Sequence, residues 1–247
     1  MQNDNQKQIA GAILIVGVLI AGAILLKDSK LPTIKDNGIA ITTLAPVSKE
    51  DRVLGNPNAK VIVVMYEDFQ CPFCGVISGL EPLSASTQSL LEMLKQRDPT
   101  WTPFISQIIN EYVKNGNVQF VYRDFAFLGP ESGKSAEAAR CAGDQGKFWE
   151  YHDYLFTHQN GENEGAFSDS NLKSFAKELG LGASGFDKCL DESKYSQAVA
   201  NSKNEGANAG VTGTPKGFIL KDGKIVSTID GAESYTTVKT KIDNALK

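Results

Sequence analysis

Apolar residues are spaced along this chain in three ways, and each predicts a different kind of segment. Residues 9–26, IAGAILIVGVLIAGAILL, run for 18 positions without a charge. A helix rising ~1.5 Å per residue would reach about 27 Å over that run, near the lower limit for crossing a bilayer. The run comes after only eight residues and is apolar on every side, which argues against a buried core helix. Its A-x-A, Ala21-Gly22-Ala23, lies inside it, so an uncleaved signal-anchor over residues 1–30 is favoured over a cleavable signal peptide. The short head places the N-terminus inside and exports the large C-terminal part of the chain.

Strand patterns come next. Residues 61–66 open with Val61, Ile62, Val63 and Val64 and read as a buried strand that stops at Glu67 and Asp68. Residues 118–122 (VQFVY) predict a second strand, and a weaker pattern at 39–44 a first one. Near the end, 217–220 and 224–229 flank Lys221-Asp222-Gly223, which signals a hairpin with an Asp-Gly turn. Between 31 and 55 the chain reads as a tether or arm, with a turn at 55–58.

Helical spacing fills the rest. It appears at 89–95, 104–113, 134–142, 147–158, 171–179, 186–204 and 236–246. Another helix begins at residue 71, and Pro82 should break or kink it. The resulting order is β-α-β, a helical insert over about 126–210, then β-β-α. Trp149, Tyr151, Tyr154 and Phe156 are the expected core of the insert, with His152 a satisfied core or surface residue.

Composition narrows the function. With 247 residues, 41% of them hydrophobic, the chain can bury a sizeable core, and its net charge of −4 argues against nucleic acid as the main partner. The four cysteines carry the chemistry. Cys71-Pro72-Phe73-Cys74 opens a helix straight after the strand, with Cys71 near the N-cap and Pro72 at the first helical position. A thiol at the positive end of a helix dipole is favoured as thiolate. That predicts a redox-active dithiol in which Cys71 attacks, exposed at the helix start, while Cys74 resolves from a shielded place one turn in. The alternatives are a structural disulfide or half of a zinc site. A second C-x-x-C or a Cys/His pair at metal spacing is missing, so no metal and no cofactor is expected. Cys141 and Cys189 stand alone in two helices of the insert. A structural disulfide joining them is expected, with two free buried thiols as the alternative.

Several stretches together resemble one family. They are residues 55–59 (GNPNA), 68–74 (DFQCPFC), 120–125 (FVYRDF), 141–149 (CAGDQGKFW) and Gly213-Thr214-Pro215 ahead of the hairpin. From residue 56 to 247 the chain looks like the thioredoxin fold in its DsbA-like form. The resemblance implies an α/β fold with a central mixed sheet flanked by helices, a helical insert, and an extracytoplasmic thiol-disulfide oxidoreductase. It implies that Pro215 is a cis-proline facing the dithiol and that Thr214 offers backbone pairing to a substrate peptide. It further implies that Cys71 and Cys74 oxidise reduced client proteins, and that a quinone-linked membrane partner reoxidises them. Disulfide reduction or isomerisation is the runner-up, and a non-catalytic chaperone or binding domain is the alternative from another class.

Two positions depart from the pattern. Many members carry a buried acid six residues before the first cysteine, where this chain has Met65, leaving Glu67 or Asp68 as substitutes. Residues 82–103 look like an insertion beside the active-site helix. The Pro72-Phe73 pair carries no charge, so the expected reduction potential falls between the thioredoxin and DsbA values, about −270 and −120 mV. Arg123-Asp124 reads as an ion pair or loop anchor.

Overall fold

A computed structural model describes residues 44–247. The apolar run 9–26 and the weak strand pattern at 39–44, apart from Leu44, lie outside the described residues. Among the described residues no helix is long and apolar enough to cross a membrane.

The sheet is built around β2 (Val61–Glu67), whose central residues Val63, Val64, Met65 and Tyr66 are all fully buried. A strand covered on both faces needs apolar residues at successive positions, which explains the unbroken VIVV run. β2 pairs parallel with β3 (Val118–Asp124) and antiparallel with β4 (Lys216–Lys221). β1 (Arg52–Leu54) joins β3 antiparallel, and β5 (Lys224–Asp230) joins β4 across a turn where Asp222 and Gly223 both take positive φ. The five strands run β1-β3-β2-β4-β5, a mixed sheet.

One face carries the larger core, into which α9 (Tyr235–Leu246) sends Val238, Ile242 and Ala245 at helical spacing. The other face packs Val64, Tyr66, Val121 and Phe218 against the arm residues Leu44 and Val47. Arg123 secures that arm. Its guanidinium holds Asp51 at 2.6 Å and donates to the carbonyls of Ala45 and Pro46 and to the Tyr66 hydroxyl. Asp124 pairs elsewhere, with Arg140 at 2.6 Å, so Arg123 and Asp124 are two anchors and do not pair with each other. The strand β1 and this anchoring make residues 44–55 part of the fold, so a tether that ends at 55 is too long. The sequence signal is weak because β1 has only three residues.

Two predicted helices are divided. α1 (Pro72–Ser78) stops at Gly79, whose φ of 70° ends it before the cis Glu81–Pro82 bond, and α2 (Ala85–Arg97) starts afresh from the Ser84 cap. A Cβ at Gly79 would fall 2.3 Å from the Ser106 hydroxyl, so that left-handed turn favours glycine and a larger residue there would have to displace Ser106. α3 (Ile105–Ile108) runs on as a π-helical turn, Ile109–Val113. After β3 come α4 (Pro130–Gly143), α5 (Phe148–His158), α6 (Asp169–Glu178), α7 (Ala183–Asp191) and α8 (Ser196–Asn208). The single helix expected over 186–204 is α7 and α8, parted at Ser193, which takes φ 48°.

Cys141 of α4 and Cys189 of α7 are joined by a disulfide across 48 positions of sequence. Closing a loop of that length removes unfolded-chain entropy worth about 4 kcal/mol. The Cys141→Ala/Cys189→Ala double variant should lose that order of stability in urea unfolding while keeping exchange activity.

Candidate active site

The site is assembled by the turn that links β2 to α1. Asp68 organises it: its Oδ1 accepts from the Gln70 amide at 2.9 Å, and its carbonyl accepts from the Cys71 amide at 2.9 Å. Oδ2 accepts from the amides of Phe127 and Leu128, at 2.9 and 3.1 Å, tying the turn to the loop after β3. Removing this carboxylate strands buried donors, each worth about 1–3 kcal/mol. Asp68→Ala should therefore destabilise the fold by several kcal/mol, read as a lowered urea midpoint.

Two glutamines lock the turn to the insert. Gln70 donates to the Ser132 hydroxyl at 2.7 Å and accepts from the Asn163 amide. Gln159, at the end of α5, donates to the Phe69 carbonyl at 3.2 Å and accepts from Thr87 at 3.1 Å. Its amide lies against Gly75 of α1, where a Cβ would come within 2.8 Å. Gln70 lies within the DFQCPFC stretch and Gln159 in no motif, and it is their burial that marks the role of both.

Cys71 is the N-cap of α1 and Pro72 its first residue, which needs no hydrogen bond there. Cys71 Sγ sits 3.4 Å from the Thr214 carbonyl, and the Thr214–Pro215 bond is cis. Thr214 and Pro215 thus face the dithiol. Cys71 is less accessible than its place at a helix start suggests, at 4% exposed, because the Thr214–Pro215 segment covers it. Cys74 is completely buried, and Phe73 between them stands open at 39%.

The two free thiols are shifted in opposite directions. A hydrogen bond from Cys74, with the first-turn amides of Cys74 and Phe73, outweighs burial and holds Cys71 below the usual thiol range. Burial, with the nearby Cys71 and Glu67 charges, pushes Cys74 well above it. One cysteine is primed as thiolate and the other held as thiol.

The buried carboxyl that feels this pair of thiols is Glu67. Met65, at the position where the resemblance leads to the expectation of an acid, is fully buried and paired in the sheet with Gly217. Glu67 lies two residues further along the same face of β2, nearer the cysteines. It is 1% exposed, and neither carboxylate oxygen has a hydrogen-bond partner. Burial, then the Cys71 charge, pushes it up to about 8. Asp68, although equally buried, has its oxygens engaged by backbone amides.

Cys141 and Cys189 serve the insert as a staple. His152 is a core residue, but only half satisfied: Nδ1 meets Asp153 at 2.8 Å and Nε2 has no partner. Among the described residues no group of three His, Cys, Asp or Glu could hold a metal.

The family model for thioredoxin matches residues 47–79 and 100–244. The chain belongs to the thioredoxin family. The unmatched stretch, 80–99, contains α2, so most of the expected insertion is an addition to this family's pattern. Among solved structures, oxidised BdbD of Bacillus subtilis has a TM-score of 0.65 at 22% identity, covering 83% of this chain and 97% of that one. Wolbachia pipientis α-DsbA1 has a TM-score of 0.65 at 20% identity, covering 82% and 94%. These likenesses give the thioredoxin fold here its DsbA-like form. A probable disulfide bond formation protein D of Bacillus anthracis is 24% identical over 100% of both chains. A Na(+)/H(+) antiporter NhaA 1 of Salinispora arenicola is 29% identical over 72% of this chain, which spans only 23% of that relative.

Proposed function

We propose that this thioredoxin-family protein is an extracytoplasmic thiol-disulfide oxidoreductase that passes the Cys71–Cys74 disulfide to reduced client proteins. The observation that carries the reading is the geometry of the pair: Cys71 caps α1 with its Sγ 3.4 Å from the Thr214 carbonyl, and Cys74 lies fully buried one turn in. A client thiolate attacks Cys71 Sγ, the Cys71–Cys74 bond breaks, and Cys74 leaves as thiolate, taking the proton of the Glu67 carboxyl. A second client thiolate then attacks the client sulfur of the mixed disulfide and expels Cys71 as its stabilised thiolate. Two electrons pass from client to protein. Reoxidation reverses the order: Cys71 attacks the oxidant's disulfide, Glu67 takes the Cys74 proton, and Cys74 closes the bond. Forming the mixed disulfide removes the Cys71 charge that helps hold the Glu67 proton, so more of Glu67 is carboxylate, the form that can accept the Cys74 proton, when a base is needed.

Thr214 would pair its backbone with the client, and Phe73 would offer it an apolar contact. The relative named for disulfide bond formation supports the oxidative direction. The uncharged Pro72-Phe73 pair favours a milder site than C-P-H-C, where an imidazolium can hold the thiolate, and leaves reduction or isomerisation as the second reading. The Cys141–Cys189 bond favours an oxidising compartment. The reading is completed by residues 9–26 as a single bilayer span, with the domain outside the cell membrane and a quinone-linked membrane partner as reoxidant.

The experiment mixes the oxidised protein with a reduced, unfolded client without oxygen. One disulfide should appear in the client per chain consumed, and wild-type protein that transfers none would sink the reading, leaving a chaperone or binding domain. The span is tested separately, since deleting residues 1–30 should move the protein from an alkali-resistant membrane fraction to the soluble one.

A further inference from the structure

In the reduced protein Glu67, pushed up to about 8, and Cys74 each hold a proton, so Glu67 has to shed one before it can take the Cys74 proton, yet it is 1% exposed. The front of the site is a poor route. Cys71 is already covered, and a client bound to it and seated on Thr214–Pro215 closes what opening remains. Behind the dithiol the structure holds two more buried polar groups that the exchange chemistry does not use. Tyr122 Oη and His152 Nε2, like both Glu67 oxygens, have no protein hydrogen-bond partner.

These groups lie in sequence from the dithiol outward. The parallel register sets Tyr122 beside Met65 and Asp124 beside Glu67, so Glu67 and Tyr122 are diagonal neighbours on one face of the sheet. Burial, then the charges of Asp124, Glu67, Asp68 and Cys74, hold the proton of the Tyr122 phenol well above the usual tyrosine range. The Tyr122 and His152 rings meet edge to face at 5.0 Å, and Phe69 walls both, at 5.5 and 5.6 Å. His152 Nδ1 then meets Asp153 Oδ1 at 2.8 Å, and the Asp153 side chain is 53% exposed. His152, Asp153, Trp149 and Ser78 line a cavity of about 220 Å³.

We infer that Tyr122 and His152 form a proton passage that connects Glu67, and through it Cys74, to solvent at Asp153. Phenol and imidazole can each donate and accept, and buried polar atoms left over by the protein are met by ordered water. With Nδ1–H donating to Asp153, the buried and unpartnered Nε2 is left as an acceptor. In the closing step the Cys74 thiol gives its proton to the Glu67 carboxylate. Glu67 passes it through bridging water to Tyr122 Oη, which releases its own proton toward His152 Nε2. The imidazolium gives up the Nδ1 proton to Asp153 and solvent. One proton enters and one leaves, and no electron moves. The client-reduction half runs the passage inward.

The inference rests on the dithiol reading, and its test separates the two. A cysteine peptide is loaded on Cys71 as a mixed disulfide, and its release by Cys74 is tracked by rapid quench in wild type, Tyr122→Phe and His152→Phe. Positioned proton transfer contributes about 10²–10⁴-fold to a step, so each variant should slow release at least about tenfold and enlarge its solvent isotope effect. The equilibrium redox potential and the Cys71 thiolate absorbance should stay at wild-type values. Wild-type release rates in either folded variant would overturn the passage. So would slowing that comes with a shifted potential or thiolate absorbance, which marks a merely structural role. Phenylalanine at 152 keeps an aromatic ring in an aromatic surround, so His152→Phe decides if Tyr122→Phe fails to fold. Wild type that never releases the peptide would instead defeat the dithiol reading.

Discussion

Cys71→Ser is expected to bring disulfide transfer down to the uncatalysed background, and Cys74→Ser to accumulate protein covalently linked to its clients. The two outcomes differ because the environments differ. Cys71 alone has a thiolate-stabilising surround, from the Cys74 thiol and the first-turn amides of α1, so serine there leaves no nucleophile. Cys74 is fully buried and held as thiol, so its task is to release a partner already attached to Cys71. Without it the mixed disulfide persists and runs as a heavier band that reductant dissolves. Unchanged transfer in both variants would remove the enzyme reading.

Glu67→Gln should have the next largest effect, on stability as well as rate. The Glu67 carboxyl is pushed up to about 8 from an ordinary 4.5. Between those two values the folded protein keeps a proton that the unfolded chain has lost. Stability therefore falls as pH rises through that window, by at most ~1.4 kcal/mol per pH unit, and levels off above it. Cys71 contributes with the opposite sign in the reduced protein, since its lowered value adds stability as pH rises toward 9.0. Comparing Glu67→Gln with wild type removes the cysteine contribution except for the part coupled to the Glu67 charge. The glutamine variant should gain on wild type by a few kcal/mol between about pH 5 and 8, read in urea with both proteins reduced. It should also slow resolution of the mixed disulfide by about 10²-fold, because glutamine can neither take nor give the Cys74 proton. A stability difference independent of pH would show that Glu67 does not hold its proton.

The dithiol is legible in the sequence because strand, turn, cysteine and proline come one after another over a short stretch, and each constrains the next. The hairpin is legible for the same local reason. Residue 65 shows where such local reading stops. The sequence reports a missing acid, and the period of a strand puts residue 67 on the same face, but only the packed fold shows that Glu67 is sealed from water. Gln70 and Gln159 are illegible because their partners, Asn163 and Thr87, lie 93 and 72 positions away. His152 reads as satisfied because nothing local distinguishes its two ring nitrogens. β1 escapes notice for lack of length, and the break at Ser193 because helical spacing persists on both sides of it.

The most direct test of the central claim is the equilibrium between Cys71 and Cys74 and a graded glutathione couple, with each cysteine's state read by mass after alkylation. A single two-electron transition confined to Cys71 and Cys74 is predicted, with a midpoint between about −270 and −120 mV while Cys141–Cys189 stays closed. Thiols that remain free across the whole range, or that take up glutathione without forming the intramolecular bond, would contradict it.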